Sequence, residues 1–430
     1  MRSSVIIQTD LFIDFEAQLL RWASQFEYCS VLRSHPKGNY NYPDKIKFDS
    51  LVAVDAIDVV KADGQNSFER LRAFQVKHQD WMFGHFSYDL KNEVEKLQSQ
   101  NEDYIGFEDL SFFIPKHLFI CENNQWRYEG DTEILHSILV EIGDQKIESF
   151  SSPAVDLKPQ INHSEYIKGV LNMKHHIQLG DIYEANFCQD FRAENSCINL
   201  VSVYEKLTQH SATPFSAFYR VNDNWLLCAS PERFISKKGD RVYSQPIKGT
   251  AKRGANVDED LQLINQLKND PKEQAENVMI VDLVRNDLSR TAAKGSVQVD
   301  ELFGIYTFPQ VHQMISTISS KLKEESTGID AIEKAFPMGS MTGAPKVMAM
   351  QLIDEFESFK RGLYSGSVGY FEPNGDFDFN VVIRSILYNQ KTSRISAPVG
   401  GAITIKADPE KEYQESLLKA KAMLNILQNG

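Results

Sequence analysis

Apolar positions recur at near-helical spacing through residues 164–180, where Tyr166, Ile167, Val170, Leu171 and Ile177 follow Ser164 as a plausible N-cap and Gly180 closes the segment. The same period predicts helices near 258–269, 271–290, 329–336, 345–358 and 410–427. Runs rich in β-branched and aromatic residues predict strands at Phe215–Val221, Trp225–Ala229, Arg241–Gln245, Tyr364–Tyr370, Phe377–Leu387 and Arg394–Val399. Pro373-Asn374-Gly375 lies between two of these runs and reads as a hairpin turn. Strands and helices are interspersed, yet neighbouring strands pair as hairpins, so the class expected is α+β rather than doubly wound α/β. Residues 1–150 mix strand-like runs such as Leu51-Val-Ala-Val-Asp55 with the aromatic patch Trp81–Tyr88, and no chemical motif stands out there. The Ser/Pro-containing stretch Ser149–Gln160 predicts a boundary between that N-terminal α+β region and a second region over 160–430.

Charge narrows the partners. The 430-residue chain has 46 Lys+Arg against 59 Asp+Glu, a formal net charge of −13, so nucleic acid is not an expected partner. Hydrophobic residues make up 42% and charged residues 24%, which is ordinary globular usage. No stretch approaches the roughly 18 apolar residues of a membrane helix, and the N-terminus turns polar before a signal-peptide core can build. The five cysteines are scattered without a C-x-x-C pair, as in a reducing compartment, and a cytoplasmic protein is expected.

Two predicted helices open alike. Asp270-Pro271-Lys272-Glu273 leads to Glu276, and Asp408-Pro409-Glu410-Lys411-Glu412 leads to Glu415, so each carries two glutamates at i, i+3. Acids in a first turn complement the helix dipole, and Glu273 can complete a capping box on Asp270. Glu276 and Glu415 lie beyond the reach of capping. Two facing carboxylate pairs would suit a hard cation such as Mg²⁺. Pro246-Ile247-Lys248-Gly249-Thr250 places a lysine that desolvation or a nearby cation would make a nucleophile, and Glu232 in Ser230-Pro-Glu-Arg-Phe234 is a general acid if burial raises its pKa. Taken singly, the bland readings prevail: a solvated loop lysine and a Glu232–Arg233 charge pair. Gly339-Ser-Met-Thr342-Gly343-Ala-Pro-Lys346 feeds a helix start suited to an anion, without P-loop spacing. Gly400-Gly401-Ala402 reads as a similar turn, and Arg384 sits in an apolar strand where a buried cation needs an anion.

Their order along the chain resembles the chorismate-binding enzymes, the family of anthranilate, aminodeoxychorismate, isochorismate and salicylate synthases. The matching strings are Gly180-Asp-Ile-Tyr-Glu-Ala-Asn186, Ser230-Pro-Glu-Arg-Phe234, Pro246-Ile-Lys-Gly-Thr250, the helix from Lys272 to Leu288, Thr342-Gly-Ala-Pro-Lys346, Tyr364-Ser-Gly-Ser-Val-Gly-Tyr370 and Glu412-Tyr-Gln-Glu415. The resemblance implies the fold of anthranilate synthase component I, two packed β-sheets with helices on the outside, and an Mg²⁺-dependent chorismate site. It implies that Glu273, Glu276, Glu412 and Glu415 hold the metal. It further implies that Gly249, Thr250, Thr342, Gly343, Tyr364, Arg384, Gly400 and Gly401 bind the substrate.

Pro-Ile-Lys-Gly-Thr looks like the members that aminate C4, whereas anthranilate-forming members typically have Ala where Lys248 stands. The implied chemistry has Lys248 attack C2 of chorismate while Glu232 protonates the departing C4 hydroxyl, after which ammonia adds at C4 and expels the lysine. The product, 4-amino-4-deoxychorismate, leads to p-aminobenzoate and folate. Several positions depart from the family pattern. Glu184 stands where Gln is usual, or Lys in isochorismate synthases, where that Lys activates water; Glu184 argues against that reaction. Gln313 takes the place of a His often given a catalytic role, with His312 one residue earlier, which shifts weight onto Glu232. The Gly-Ala-Gly turn becomes Gly400-Gly-Ala402, and Lys406 replaces an Asp. Glu184 beside an anionic substrate would be protonated or paired with a lysine, and the sequence leaves both open. No Leu-Leu-Glu-Ser segment of the tryptophan-feedback type and no Gly-x-Cys-x-Gly glutaminase site is present. The resemblance therefore implies ammonia from a separate glutamine amidotransferase subunit, and a further enzyme for p-aminobenzoate.

Overall fold

The computed structural model describes residues 2–34, 46–62, 64–147 and 153–428. Among them, strands join into a 19-stranded hydrogen-bonded network, and Gly343–Ala344, Glu184–Gln189 and Val399–Thr404 form a separate 3-stranded sheet. Residues 149–152 of the anticipated connector lie outside the described residues. Strands on either side of it pair directly: Tyr28–Arg33 with Phe215–Val221, and Met82–Phe86 with Ser367–Phe371.

Alternation along the strands divides the apolar residues between two cores. Ala217, Tyr219, Leu226 and Cys228 face a core rich in phenylalanine, including Phe86, Phe112, Phe371 and Phe379. Phe218, Leu227 and Ala229, one residue out of phase, face a second core closed by Leu19, Trp22, Ile138, Leu207 and Met423 from four helices. Each fully buried large side chain contributes roughly 1.5–3 kcal/mol relative to exposure. A third, smaller core packs Val170, Met173, Leu352 and Ile353 against Ala185, Phe187 and Ile403 of the small sheet.

The predicted helices are present as His163–Leu179, Val257–Asn269, Pro271–Ser289, Gly328–Ala335, Lys346–Phe356 and Pro409–Gln428. The first is capped by Asn162 in a capping box with Glu165, not by Ser164, and ends on Gly180 at φ +86°. The expected continuous strand Phe377–Leu387 divides into Phe377–Asn380 and Ser385–Asn389. The first pairs with Arg233–Lys238 and the second with Asn224–Ser230, so the chain changes partner in between, and Arg384 sits there at φ +50° rather than in a ladder. Tyr364 precedes its strand, which begins at Ser367. Gly400-Gly401 is no turn: both lie in Val399–Thr404, paired with Cys188 and Phe187. By pattern Val399 closes the run Arg394–Val399, whereas it opens a second strand after Arg394–Ser396.

Candidate active site

Lys248 enters the interior through a bulge. Ile247 pairs with Ile315 and Thr250 with Gln313, so one extra residue sits on the Lys248 strand, and Gly249 takes φ +94° to absorb it. A side chain on Gly249 would lie 3.0 Å from Glu273 Oε2, which ties this bulge to the Pro271 helix. Lys248 is buried, and its Nζ donates to Glu184 Oε1 at 2.5 Å. Burial works against the ammonium, but the charge and hydrogen bond of Glu184, with Glu276 and Glu232 nearby, outweigh it and raise the amine's pKa above its ordinary value. Of the two possibilities left open for Glu184, the structure selects the lysine pair.

Glu232 follows the strand Asn224–Ser230 and is 5% exposed. Burial pushes its carboxyl up to about 7, against the opposing pull of Ser340, Lys248, the Ile247 backbone and Arg384. It does not pair with Arg233, whose guanidinium bonds Asp378 through two nitrogens at 2.9 and 2.8 Å. Arg384 is half-buried, faces the Glu232 charge, and has its pKa lowered by burial. The positive φ of a non-glycine residue at this point is the kind of backbone strain that functional sites retain.

The four glutamates are brought into one electrostatic cluster. Asp270 caps its helix through the Lys272 and Glu273 amides, while its own N–H bonds Leu267, so the capping box suggested for Glu273 is not formed. Burial and then the charge of Glu276 raise the Glu273 pKa; burial and then Glu415 raise that of Glu412. Burial also raises Glu276, whereas Lys419 at 2.8 Å holds Glu415 below its ordinary value. Lys272, 3.6 Å from Glu276, supplies further positive charge. Among the described residues no three His, Cys, Asp or Glu side chains converge closely enough to hold a metal as they stand. Mutually repelling, partly buried carboxylates drawn from two helices are nonetheless a donor set suited to a hard cation.

The remaining expected ligand residues separate into groups. Gly400 faces Asn186 Oδ1 and Cys188 Sγ, each 2.5 Å from where a Cβ would stand, with the buried Tyr364 hydroxyl 3.4 Å away. Gly401 faces Glu412 Oε2. Thr342 is wholly buried and donates to the Met338 and Gly339 carbonyls of its own turn. Gly343 lies against the backbone: a Cβ there would stand 2.1 Å from the Glu184 carbonyl oxygen. Thr250 is exposed. His312 is fully buried, with Nε2 on Asp260 and Nδ1 on Thr307, so it is engaged away from Glu232.

Sequence reasoning passed over the group that holds these pieces together. Arg361 pairs with Glu357 at 2.6 Å, both buried, and its guanidinium also donates to the Asn186 and Met341 carbonyls. Glu357 in turn accepts the Cys188 amide. The only signal was an i, i+4 Glu–Arg pair just past an amphipathic helix, which is common on surfaces.

Residues 31–425 match the family model described as chorismate binding enzyme. An anthranilate synthase component I-like protein of Synechocystis is 34% identical, covering 82% of this chain and 73% of that protein. Aminodeoxychorismate synthase component 1 of Escherichia coli is also 34% identical, covering 80% and 76%. The chloroplastic aminodeoxychorismate synthase of Arabidopsis thaliana is 38% identical over 69% of this chain, which spans only 33% of that longer protein. The crystal structure of anthranilate synthase component I from Streptococcus pneumoniae superposes with a TM-score of 0.79 at 28% identity, covering 89% of this chain and 93% of that one. This chain belongs to the chorismate-binding enzyme family.

Proposed function

We propose that the chain is an aminodeoxychorismate synthase component I, which converts chorismate and ammonia to 4-amino-4-deoxychorismate on the route to p-aminobenzoate and folate. The observation that carries this reading is a buried lysine amine, Lys248, in one interior site with a carboxylic acid, Glu232, whose pKa is pushed up to about 7. Relatives named aminodeoxychorismate synthase from bacteria and plants support it.

Lys248 Nζ attacks C2 of the substrate ring, both ring double bonds shift in concert, and the C4 hydroxyl leaves with the Glu232 proton as water. Ammonia then attacks C4, both double bonds return, and the lysine amine departs. The incoming nitrogen gives a proton to Glu232, which restores the acid. In this reading Arg384, which faces the Glu232 charge, holds a substrate carboxylate, and Tyr364 with the adjoining Gly400 lines the substrate site. Glu273, Glu276, Glu412 and Glu415 would hold Mg²⁺, which offsets repulsion between the acidic site and the substrate carboxylates.

Anthranilate formation is the second reading, supported by the Synechocystis and Streptococcus relatives. It puts the incoming nitrogen at C2, the atom that Lys248 would occupy. The test is product identification by liquid chromatography and mass spectrometry after incubation with chorismate, Mg²⁺ and ammonium. Aminodeoxychorismate from the wild type, and background turnover from Lys248→Ala, are expected; anthranilate would overturn the reading.

A further inference from the structure

The steps above leave Lys248 with one proton too many. An ammonium has no lone pair, so the amine becomes a nucleophile only after a proton leaves it. Glu232 cannot take that proton, because its task is to deliver one to the leaving hydroxyl. Glu184, Glu276, Glu232 and Glu415 all face the Lys248 charge, and the hydrogen bond goes to Glu184.

We propose that Glu184 is a catalytic residue of this chain, aligning Lys248 Nζ and taking a proton from it as the amine attacks the substrate. The inference rests on the reading of Lys248 as nucleophile. Two features support it besides the 2.5 Å contact. Glu184 Oε2 is buried and, among the described residues, has no hydrogen-bond partner, so the carboxylate is not committed elsewhere. The residue lies in the central strand of the small sheet, paired with Ala344 on one side and Thr404 on the other, and Gly343 closes against its carbonyl. That confinement fixes the direction of its side chain.

The protons balance. One passes from Lys248 to Glu184; the neutral amine forms its bond to C2 as Glu232 loses its proton to the departing water. When ammonia expels the lysine as a neutral amine, Glu184 returns the first proton and Glu232 recovers its own from the new C4 nitrogen. Net consumption is chorismate and ammonia, and net release is product and water.

The test withholds ammonia from the full chain and follows adduct formation on the protein by intact mass spectrometry, with chorismate and Mg²⁺, from pH ~6 to ~8. Wild type, Glu184→Gln and Glu184→Asp are compared. In the ratio of Glu184→Gln to wild-type rates the shared titration of Glu232 cancels. With an internal proton acceptor lost, that ratio rises about tenfold per pH unit, because the variant must wait for Lys248 to deprotonate into solvent. Glu184→Asp, which keeps a carboxylate, gives a much flatter ratio. A flat ratio for Glu184→Gln, or a variant faster than wild type at the acid end, overturns the proposal; the latter means that Glu184 only holds the proton on. Absence of any adduct in the wild type overturns the nucleophile reading and this proposal with it, whereas an adduct with a flat ratio overturns this proposal alone.

Discussion

Glu232 illustrates how burial sets chemistry at a single residue. Its pKa is raised to about 7 chiefly by desolvation, so the protonated form is the one the fold favours. The sign follows: its contribution to stability is complete below the ordinary carboxylate pKa and is lost as pH rises through about 7. Chorismate turnover should therefore fall on the alkaline side of 7 as the general acid ionises. Glu232→Gln should lower turnover by roughly 10²–10⁴-fold and remove that part of the pH dependence of thermal melting. A variant with wild-type turnover would assign the leaving-group proton to another residue. Gly343 makes a steric point at the same scale. Gly343→Ala must push the small sheet apart, since the added carbon would meet the Glu184 carbonyl at 2.1 Å, and both melting temperature and turnover should drop.

The element that matters most is the small sheet with the loop that braces it. Glu357 and Arg361 bridge the strand Glu184–Gln189 and the turn before Thr342, and both are 4% exposed. Arg361→Leu leaves Glu357 buried without its cation, a loss of about 3–5 kcal/mol that thermal or urea unfolding would register. The two glutamate-bearing helices make a separate prediction. Glu276→Gln combined with Glu412→Gln should raise the Mg²⁺ concentration needed for chorismate binding, read by titration calorimetry; unchanged Mg²⁺ dependence would place the metal elsewhere.

These elements also mark what the sequence made legible. Helices with Asp-Pro starts and strands with clear alternation were readable because their signals are local, as in Pro271–Ser289 and Phe215–Val221. The Glu184 strand was not, because Glu184-Ala-Asn-Phe-Cys-Gln189 is buried along its whole length and carries no alternation. The glutamates, Lys248 and Glu232 were named from motifs, yet the Glu184–Lys248 pair joins residues 64 apart in sequence, and nothing local encodes it. Gly343 and Thr342 were expected at the ligand, while in the fold Gly343 supports the Glu184 backbone and Thr342 bonds its own turn.

At the scale of the whole molecule, the site is assembled where the 3-stranded sheet, the Pro271 helix and the Lys248 strand of the large network meet. Strands from the first 150 residues are paired into that same network, so the N-terminal region is part of the frame around the site. No described helix is long and apolar enough to cross a membrane. If ammonia comes from a glutamine amidotransferase subunit, as the component 1 naming of relatives suggests, glutamine should support turnover only after that subunit is added. Glutamine-dependent product from the chain alone would contradict that partner assignment. The central claim is covalent attack by Lys248, and peptide mapping by tandem mass spectrometry after incubation with chorismate and Mg²⁺, ammonia withheld, tests it most directly. The account predicts a modification of chorismate less one water on Lys248, discharged to aminodeoxychorismate when ammonium is added. Product formation with Lys248 unmodified throughout would contradict it.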